Sequence, residues 1–372
     1  MVLNKNQEAF FALLKAGLWE KDVQLLPYDD IDFEYILKTA EEQSIIGLIA
    51  AGIDKLKKLD ANLNVNIPKT VACQFIGQTL KLEERNKAMN RFISELIRKM
   101  QNASIYTILI KGQGVAQCYE RPLWRSSGDV DLFFDADNYH KAFKFLAPLA
   151  SYISNEDSKR LHVAMIIDHW EVELHGTMHT EISKKIDSGV DSTQKDIFEN
   201  DGIRIWNNEG TEIALPNPNN DIIIVFTHFI DHFYVGGVGL RQISDWCRLL
   251  WKYYDHFDLA LLEKRIRAMG LLTEWRVFAA LAVTYMGMPK IAMPFYDESN
   301  KDLRKVRKVL HLMLYTGNFG HNKDESYRSR YPKMIGKVIT FFRRFGEFLR
   351  ITMIFPQNAP KFFLTYVNRS VS

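Results

Sequence analysis

Asp129 and Asp131, in the run Ser127-Gly128-Asp129-Val130-Asp131-Leu132-Phe133-Phe134, are two carboxylates separated by one apolar residue. In an extended strand, residues i and i+2 share a face roughly 6.5–7 Å apart, so the two acids stand side by side while Val130 and Leu132 enter the core. Like charges held that close repel unless a cation or a proton lies between them. A hard divalent ion with oxygen ligands is the simplest compensation, and Mg²⁺ (or Mn²⁺) commonly sits on one or two carboxylates together with substrate phosphates. The pair therefore points to phosphate chemistry. Taken alone, Asp-x-Asp more often marks a solvated strand end or turn, so the neighbouring segments decide.

Upstream, the β-branched, apolar run Ile105–Ile110 reads as a buried strand. It ends on Lys111-Gly112-Gln113-Gly114, ahead of a short helix expected over Val115–Tyr119. Glycine at such a junction lets the backbone approach a ligand closely, and the first N–H groups of a helix lack internal partners, so the turn can hold an anion. The plain alternative is a tight strand-to-helix connection with Lys111 as a solvated cation. About 40 residues on, alternation in Trp170-Glu171-Val172-Glu173-Leu174-His175 puts Glu171, Glu173 and His175 on one face of a strand and the apolar residues on the other. If that strand lies beside the Asp129/Asp131 strand, Glu173 completes a three-carboxylate cluster; otherwise the acids are the polar face of an edge strand. Two cations held by such a cluster activate an attacking hydroxyl and neutralise a leaving pyrophosphate.

These segments resemble the DNA polymerase beta-like nucleotidyltransferase superfamily and, within it, an uncharacterised bacterial nucleotidyltransferase family. The resemblance rests on Leu109-Ile110-Lys111-Gly112, on Tyr119 followed by Pro122 and Arg125, on Gly128-Asp129-Val130-Asp131-Leu132, and on Val172-Glu173-Leu174-His175; Gly239-Leu240-Arg241 followed by Asp245 extends it. It implies that Asp129, Asp131 and Glu173 are the catalytic, metal-binding acids. It likewise implies that Gly112 with Gln113 and Gly114 forms the phosphate-cradling turn, and that Lys111, Arg125 and Arg241 contact the nucleotide. In one respect the chain departs from the superfamily, whose turn usually carries Gly-Ser or Gly-Gly. Gln113 follows Gly112 here, and a serine hydroxyl contact is missing.

The elements that must position these residues read as helix, then mixed sheet, then helix. Apolar positions three and four apart predict helices over residues 6–18 and 31–58. After a loop near residues 62–68, a long helix is expected over 70–102, with Lys81, Glu83, Glu84, Arg85 and Lys87 on its solvated face. Pro216 and Pro218 break the chain, and helical periodicity resumes at Asp221 and continues to about Val338. The fold class is thus α+β: a small mixed nucleotidyltransferase sheet (103–215) between an N-terminal helical region (1–102) and a C-terminal one (216–372). In the latter, His228 and His232 stand one helical turn apart and read as packed histidines, since no third ligand accompanies them. Arg241 and Asp245, four apart, read as an intrahelical ion pair unless Arg241 lines the nucleotide cleft.

Composition fits an ordinary globular chain, with 47% apolar and 25% charged residues among 372, which excludes disorder as the default. A net charge of +3 gives no argument for nucleic acid. Cys73, Cys118 and Cys247 form no zinc pattern and read as reduced core residues, which with the absence of a leader-like or membrane-spanning apolar stretch suggests a cytoplasmic setting. Between Arg328 and Arg369, basic residues alternate with phenylalanines. Such a tail either meets an anionic membrane surface or packs its rings on the core, and core packing is the reading preferred here. The function expected is transfer of an NMP from an NTP to an unidentified hydroxyl-bearing acceptor. The alternative is a non-catalytic nucleotide-binding or scaffolding module on the same fold.

Overall fold

The computed structural model describes residues 3–25, 30–56, 65–299, 302–318 and 345–363. Its centre is a seven-stranded mixed sheet of β1 (Ile108–Ile110), β2 (Val130–Phe133), β3 (Tyr152–Ile153), β4 (His162–Ile167), β5 (Trp170–His175), β6 (Ile203–Asn208) and β7 (Thr211–Pro216). The spatial order is β3-β4-β5-β2-β1-β7-β6. β2 runs parallel to β5 and antiparallel to β1, while β1 is parallel to β7. The β4–β5 hairpin turns on Asp168 and His169, both at positive φ, as a two-residue hairpin of primed type requires.

Helices flank the sheet: α1 (Lys5–Trp19), α2 (Phe33–Glu42), α3 (Ile46–Leu56), α4 (Lys69–Asn102), α5 (Gly112–Ala116), α6 (Ala136–Leu146), α7 (Lys184–Glu199), α8 (Pro218–Val235), α9 (Leu240–Lys252), α10 (Leu259–Met269), α11 (Leu272–Tyr285) and α12 (Leu303–Thr316). Local chemistry sets many of their starts. Asn4 and Gln7 form a reciprocal capping box at α1, Asp32, Asp135, Ser183 and Asp258 cap α2, α6, α7 and α10, and Pro218 occupies the first turn of α8 behind the Asn217 cap.

The two faces of the sheet are buried differently. Leu109, Val130, Leu132, Val172 and Leu174 share a core with α4 residues Met89, Ile93, Leu96 and Ile97 and with Tyr139 of α6. The opposite face carries Ile108, Ile110 and Phe133 against Ile197 of α7 and Ile224 of α8, and the charged residues described below lie on this side. A third and larger core joins α1–α3 with α8–α12, so helices from both ends of the chain share one interior. Gln43, fully buried, ties them further: its side chain accepts from the Leu240 N–H at 3.0 Å and donates to the Met313 carbonyl at 3.2 Å.

Helices α1 and α3 cross through their glycines. A Cβ on Gly17 would overlap the Leu48 carbonyl oxygen, and one on Gly52 would overlap that of Leu13. Both obstacles are backbone, so no rotamer change relieves them. Gly17→Ala is expected to lower the free energy of unfolding by about 1–3 kcal/mol, measured by urea denaturation.

Several sequence expectations need correction. The strand expected over 105–110 is confined to Ile108–Ile110, because the Tyr106 N–H goes to the Asn138 side chain instead of a ladder. The helix expected over 115–119 begins earlier, at Gly112. The helical stretch 31–58 is broken at Ser44, which takes φ 55°. Cys73 is exposed, whereas Cys118 and Cys247 are buried as expected. In the tail, Phe355 is buried and Phe348 and Phe362 pack on the large core, in line with the packing reading; Arg328, Phe341 and Arg369 lie outside the described residues. Among the described residues no helix is long and apolar enough to cross a membrane.

Candidate active site

β2 lies between β1 and β5, in a register that sets Asp131 opposite Ile110 on one side and Glu173 on the other. Asp129 sits just before β2 begins. One oxygen from each of Asp129, Asp131 and Glu173 falls within 4.8 Å of the others, so the three acids converge from two neighbouring strands as the alternation predicted. Asp131 is 3% exposed, and the Glu173 side chain is 23% exposed.

The positive charge nearest to them comes from the chain itself. Lys111 Nζ lies 2.6 Å from Asp131 Oδ1, and His175 Nε2 lies 2.9 Å from the same oxygen. Burial acts to lower the Lys111 pKa, but Asp131, Glu173 and Asp129 outweigh it and hold the ammonium form. Asp131 is opposed by burial yet held below the usual carboxylate range by Lys111 and His175. The Asp129 carboxyl is pushed up, first by the charge of Asp131 and then by burial. Glu173 is held low against burial by hydrogen bonds from His162 and His175. Three carboxylate oxygens this close to one another can hold a metal ion.

Lys111 takes φ 54°, ψ −142°, a conformation costly for a side chain with a Cβ, and its ion pair with Asp131 helps to hold it there. Gly112 follows at φ 39°. A Cβ at Gly112 would come only within 3.6 Å of the Asp129 carbonyl, so glycine is needed here for its backbone conformation and not for space.

The loop that delivers Asp129 is fixed by buried polar contacts. Arg125 forks onto Asp245 of α9, with Nε to Oδ1 at 2.9 Å and Nη2 to Oδ2 at 2.7 Å, and its Nη1 donates to Ser127 Oγ at 2.7 Å. Tyr119 donates to Asp245 Oδ1 at 2.8 Å. From α4, Asn86 donates to the Leu123 and Arg125 carbonyls, each at 2.8 Å, and Arg85 donates to the carbonyls of Ser127 and Gly128. Arg241 donates to the Ser126 carbonyl at 3.1 Å. The carbonyls of residues 125–128 are thereby held by side chains of α4 and α9, leaving the Asp129 carboxylate to face the cleft.

The cleft itself is lined by Lys111, Gly112, Arg125, Asp129, Asp131, His228, Arg241 and Asp245. Its lining sets the cations Lys111, Arg125 and Arg241 beside the acids Asp129, Asp131 and Asp245. His228 and His232 of α8 contact each other at 3.1 Å between their Nε2 atoms. Burial and then the charge of Lys111 lower both, His232 to about 4, so they are neutral imidazoles at neutral pH.

Between them in sequence, Asp231 is raised to about 7, by burial first, with Arg160 opposing and Asp187 adding to the rise. Its Oδ1 has no hydrogen-bond partner among the described residues. The folded state therefore keeps a proton that the unfolded chain releases near pH 4. Stability is fully present below that pH, falls as pH rises, and levels off above about 7, a loss of about 4 kcal/mol at most. Asp231→Asn is expected to flatten this decline, measured as unfolding free energy between pH 4.5 and 8.

The structure brings Lys111, Gly112, Arg125, Asp129, Asp131, Glu173 and Arg241 to one site, and turns Gln113 and Gly114 away from its lining. The Gln113 amide donates to Asn86 Oδ1 at 2.8 Å and Ser127 Oγ at 3.2 Å, while Gly114 packs against Leu215. The intrahelical Arg241–Asp245 pair gives way to a bidentate Arg125–Asp245 pair, because Asp245 projects onto the loop before β2. Arg85 and Glu83 are not merely solvated: Arg85 also lies 5.2 Å over the Trp170 ring, and Glu83 accepts from Trp124 Nε1 at 3.0 Å. Sequence reasoning missed Asn86, His162 and the cleft-facing role of His228. For His162 the usable signal was its place on the partner strand of a hairpin, directly across from His175.

No curated protein and no solved structure matches the chain. A family model described as an uncharacterised nucleotidyltransferase matches residues 29–287, a stretch that includes the acid strands, the Lys111–Gly112 turn and the α8–α9 wall. With that match across more than half of its length, the chain belongs to this nucleotidyltransferase family.

Proposed function

We propose that the protein transfers an NMP from an NTP to a hydroxyl group of an acceptor, in a reaction that depends on Mg²⁺ or Mn²⁺ and releases pyrophosphate. The observation that carries this reading is the convergence of Asp129, Asp131 and Glu173 beside the Lys111–Gly112 turn. The acceptor oxygen bonds to the α-phosphorus, the bond from that phosphorus to the bridging oxygen of the leaving pyrophosphate breaks, and the hydroxyl proton leaves to solvent water. Bound by Asp129, Asp131 and Glu173, a divalent cation supplies charge neutralisation for the phosphates. Lys111 and Arg241 add fixed positive charge on the phosphate side, and Gly112 lets the backbone come close. The buried Arg125–Asp245 pair orients the loop that ends in Asp129 and contributes by preorganisation.

Incubation of the protein with each labelled NTP and Mg²⁺ or Mn²⁺ tests this reading. Pyrophosphate release that stops on chelation is the expected result. Failure of a non-hydrolysable NTP to bind in calorimetry, with either ion present, would overturn it.

A further inference from the structure

We propose that the outer face of α12 and of the helix over residues 345–354 is a docking surface for an anionic lipid bilayer. It shares no residue with the cleft around the acids and does not depend on the nucleotide chemistry. The two helices enclose a groove of about 650 Å³, whose floor includes the buried side chains of Leu312 and Ile354 and which gives lipid headgroups room to sit. Its sides carry Arg304, Arg307, Lys308 and Arg350, all exposed. Among the described residues no acid lines the groove, and none of these four cations has an ion-pair partner; Lys305, next to Arg304, is drawn to Asp302 at 3.8 Å. Like charges gathered without a counter-charge favour an anion brought against them.

Charge alone does not identify the partner. Beside the cations, apolar side chains project outward: Met353 is 64% exposed, Tyr315 62% and Leu349 46%. Basic residues interleaved with projecting apolar tips form an interfacial surface, in which the tips reach the boundary between headgroups and acyl chains while Lys and Arg meet lipid phosphates. The phenylalanines of this part of the chain are engaged inward, Phe355 buried and Phe348 against the large core, so the outward face is not used for packing. Nor does the connecting chain supply the missing negative charge, because residues 319–344 hold seven Lys and Arg against two Asp and Glu. Nucleic acid would answer the cations but offers no apolar layer to Leu349 and Met353. An acidic helix laid in the groove would leave Leu349, outside its lining, uncovered. A lipid leaflet meets the charges and the tips together.

Sedimentation of the full-length protein with vesicles, in the absence of nucleotide, tests this. The wild type is expected to bind vesicles of phosphatidylcholine with about 30% phosphatidylglycerol at least about tenfold more tightly than pure phosphatidylcholine vesicles, with the difference shrinking as salt is added. Arg307→Glu/Lys308→Glu is expected to weaken binding to the anionic vesicles by at least about tenfold. Leu349→Ser/Met353→Ser leaves every charge in place and is expected to weaken it by at least about threefold, with the urea midpoint near the wild-type value because both side chains are exposed. Unchanged vesicle binding in Arg307→Glu/Lys308→Glu would overturn the proposal and place the contact elsewhere on the chain. Unchanged binding in Leu349→Ser/Met353→Ser would overturn it as well, leaving charge attraction without docking. A wild type indifferent to phosphatidylglycerol would overturn it outright and turn attention to an acidic protein as the occupant.

Discussion

Asp131→Asn is expected to cut pyrophosphate release by at least about 10²–10³-fold, and to destabilise the protein at the same time. The loss of rate follows from removing a central charged ligand where developing phosphate charge must be neutralised. The loss of stability follows from Lys111, whose ammonium sits 2.6 Å from Asp131 Oδ1 and is only 9% exposed. Breaking a buried pair by neutralising one member costs up to about 3–5 kcal/mol, and here Glu173 and Asp129 remain to offset part of the loss at Lys111. Asp129→Asn separates the two effects, because it leaves the Lys111–Asp131 pair intact: activity should fall comparably while the urea midpoint stays near the wild-type value. Steady-state pyrophosphate assays run well below the unfolding transition, together with urea denaturation, decide the matter. Near-wild-type turnover in Asp131→Asn would remove the acid cluster from the reaction.

The second large effect is expected at Asp245, a residue on the wall of the cleft. Its carboxylate receives two bonds from Arg125 and one from Tyr119, and Arg125 is only 5% exposed. Burial works against the Arg125 charge, and Asp245 outweighs it, holding the guanidinium pKa above its ordinary value. Asp245→Asn leaves that cation buried with the dipole of an amide in place of a full charge, at a cost of about 3–5 kcal/mol in unfolding free energy. Because Arg125 also donates to Ser127, two residues ahead of Asp129, divalent-ion affinity should fall as well, measured by calorimetry with Mn²⁺. A variant as stable as the wild type would show that the clasp contributes nothing to the loop.

The readable parts of this fold and its candidate site are those governed by local rules. The acid strands were legible because a two-residue period with one charged face leaves few alternatives, and Glu173 falls beside Asp131 once β5 pairs with β2. Long helices such as α4 announce themselves by periodicity over many turns. The Lys111–Gly112 turn was found, but its inner workings were not, because Gln113 is turned toward α4 by Asn86, 27 positions earlier. The Arg125–Asp245 clasp joins residues 120 apart, and no spacing rule links them. The same holds for Arg85, which helical periodicity alone assigns to a solvated face. His162 escaped notice because its partnership depends on hairpin register through Asp168 and His169, a pair lacking the usual Asn-Gly signature.

The charge gathered around the acids has a bearing on selectivity. In the proposed reaction Lys111, Gly112, Asp129, Asp131 and Arg241 meet the polyphosphate end, which ATP, GTP, CTP and UTP have in common. Discrimination among bases therefore falls to groups at the rim, and exchanging one nucleobase for another leaves every contact at the floor unaltered.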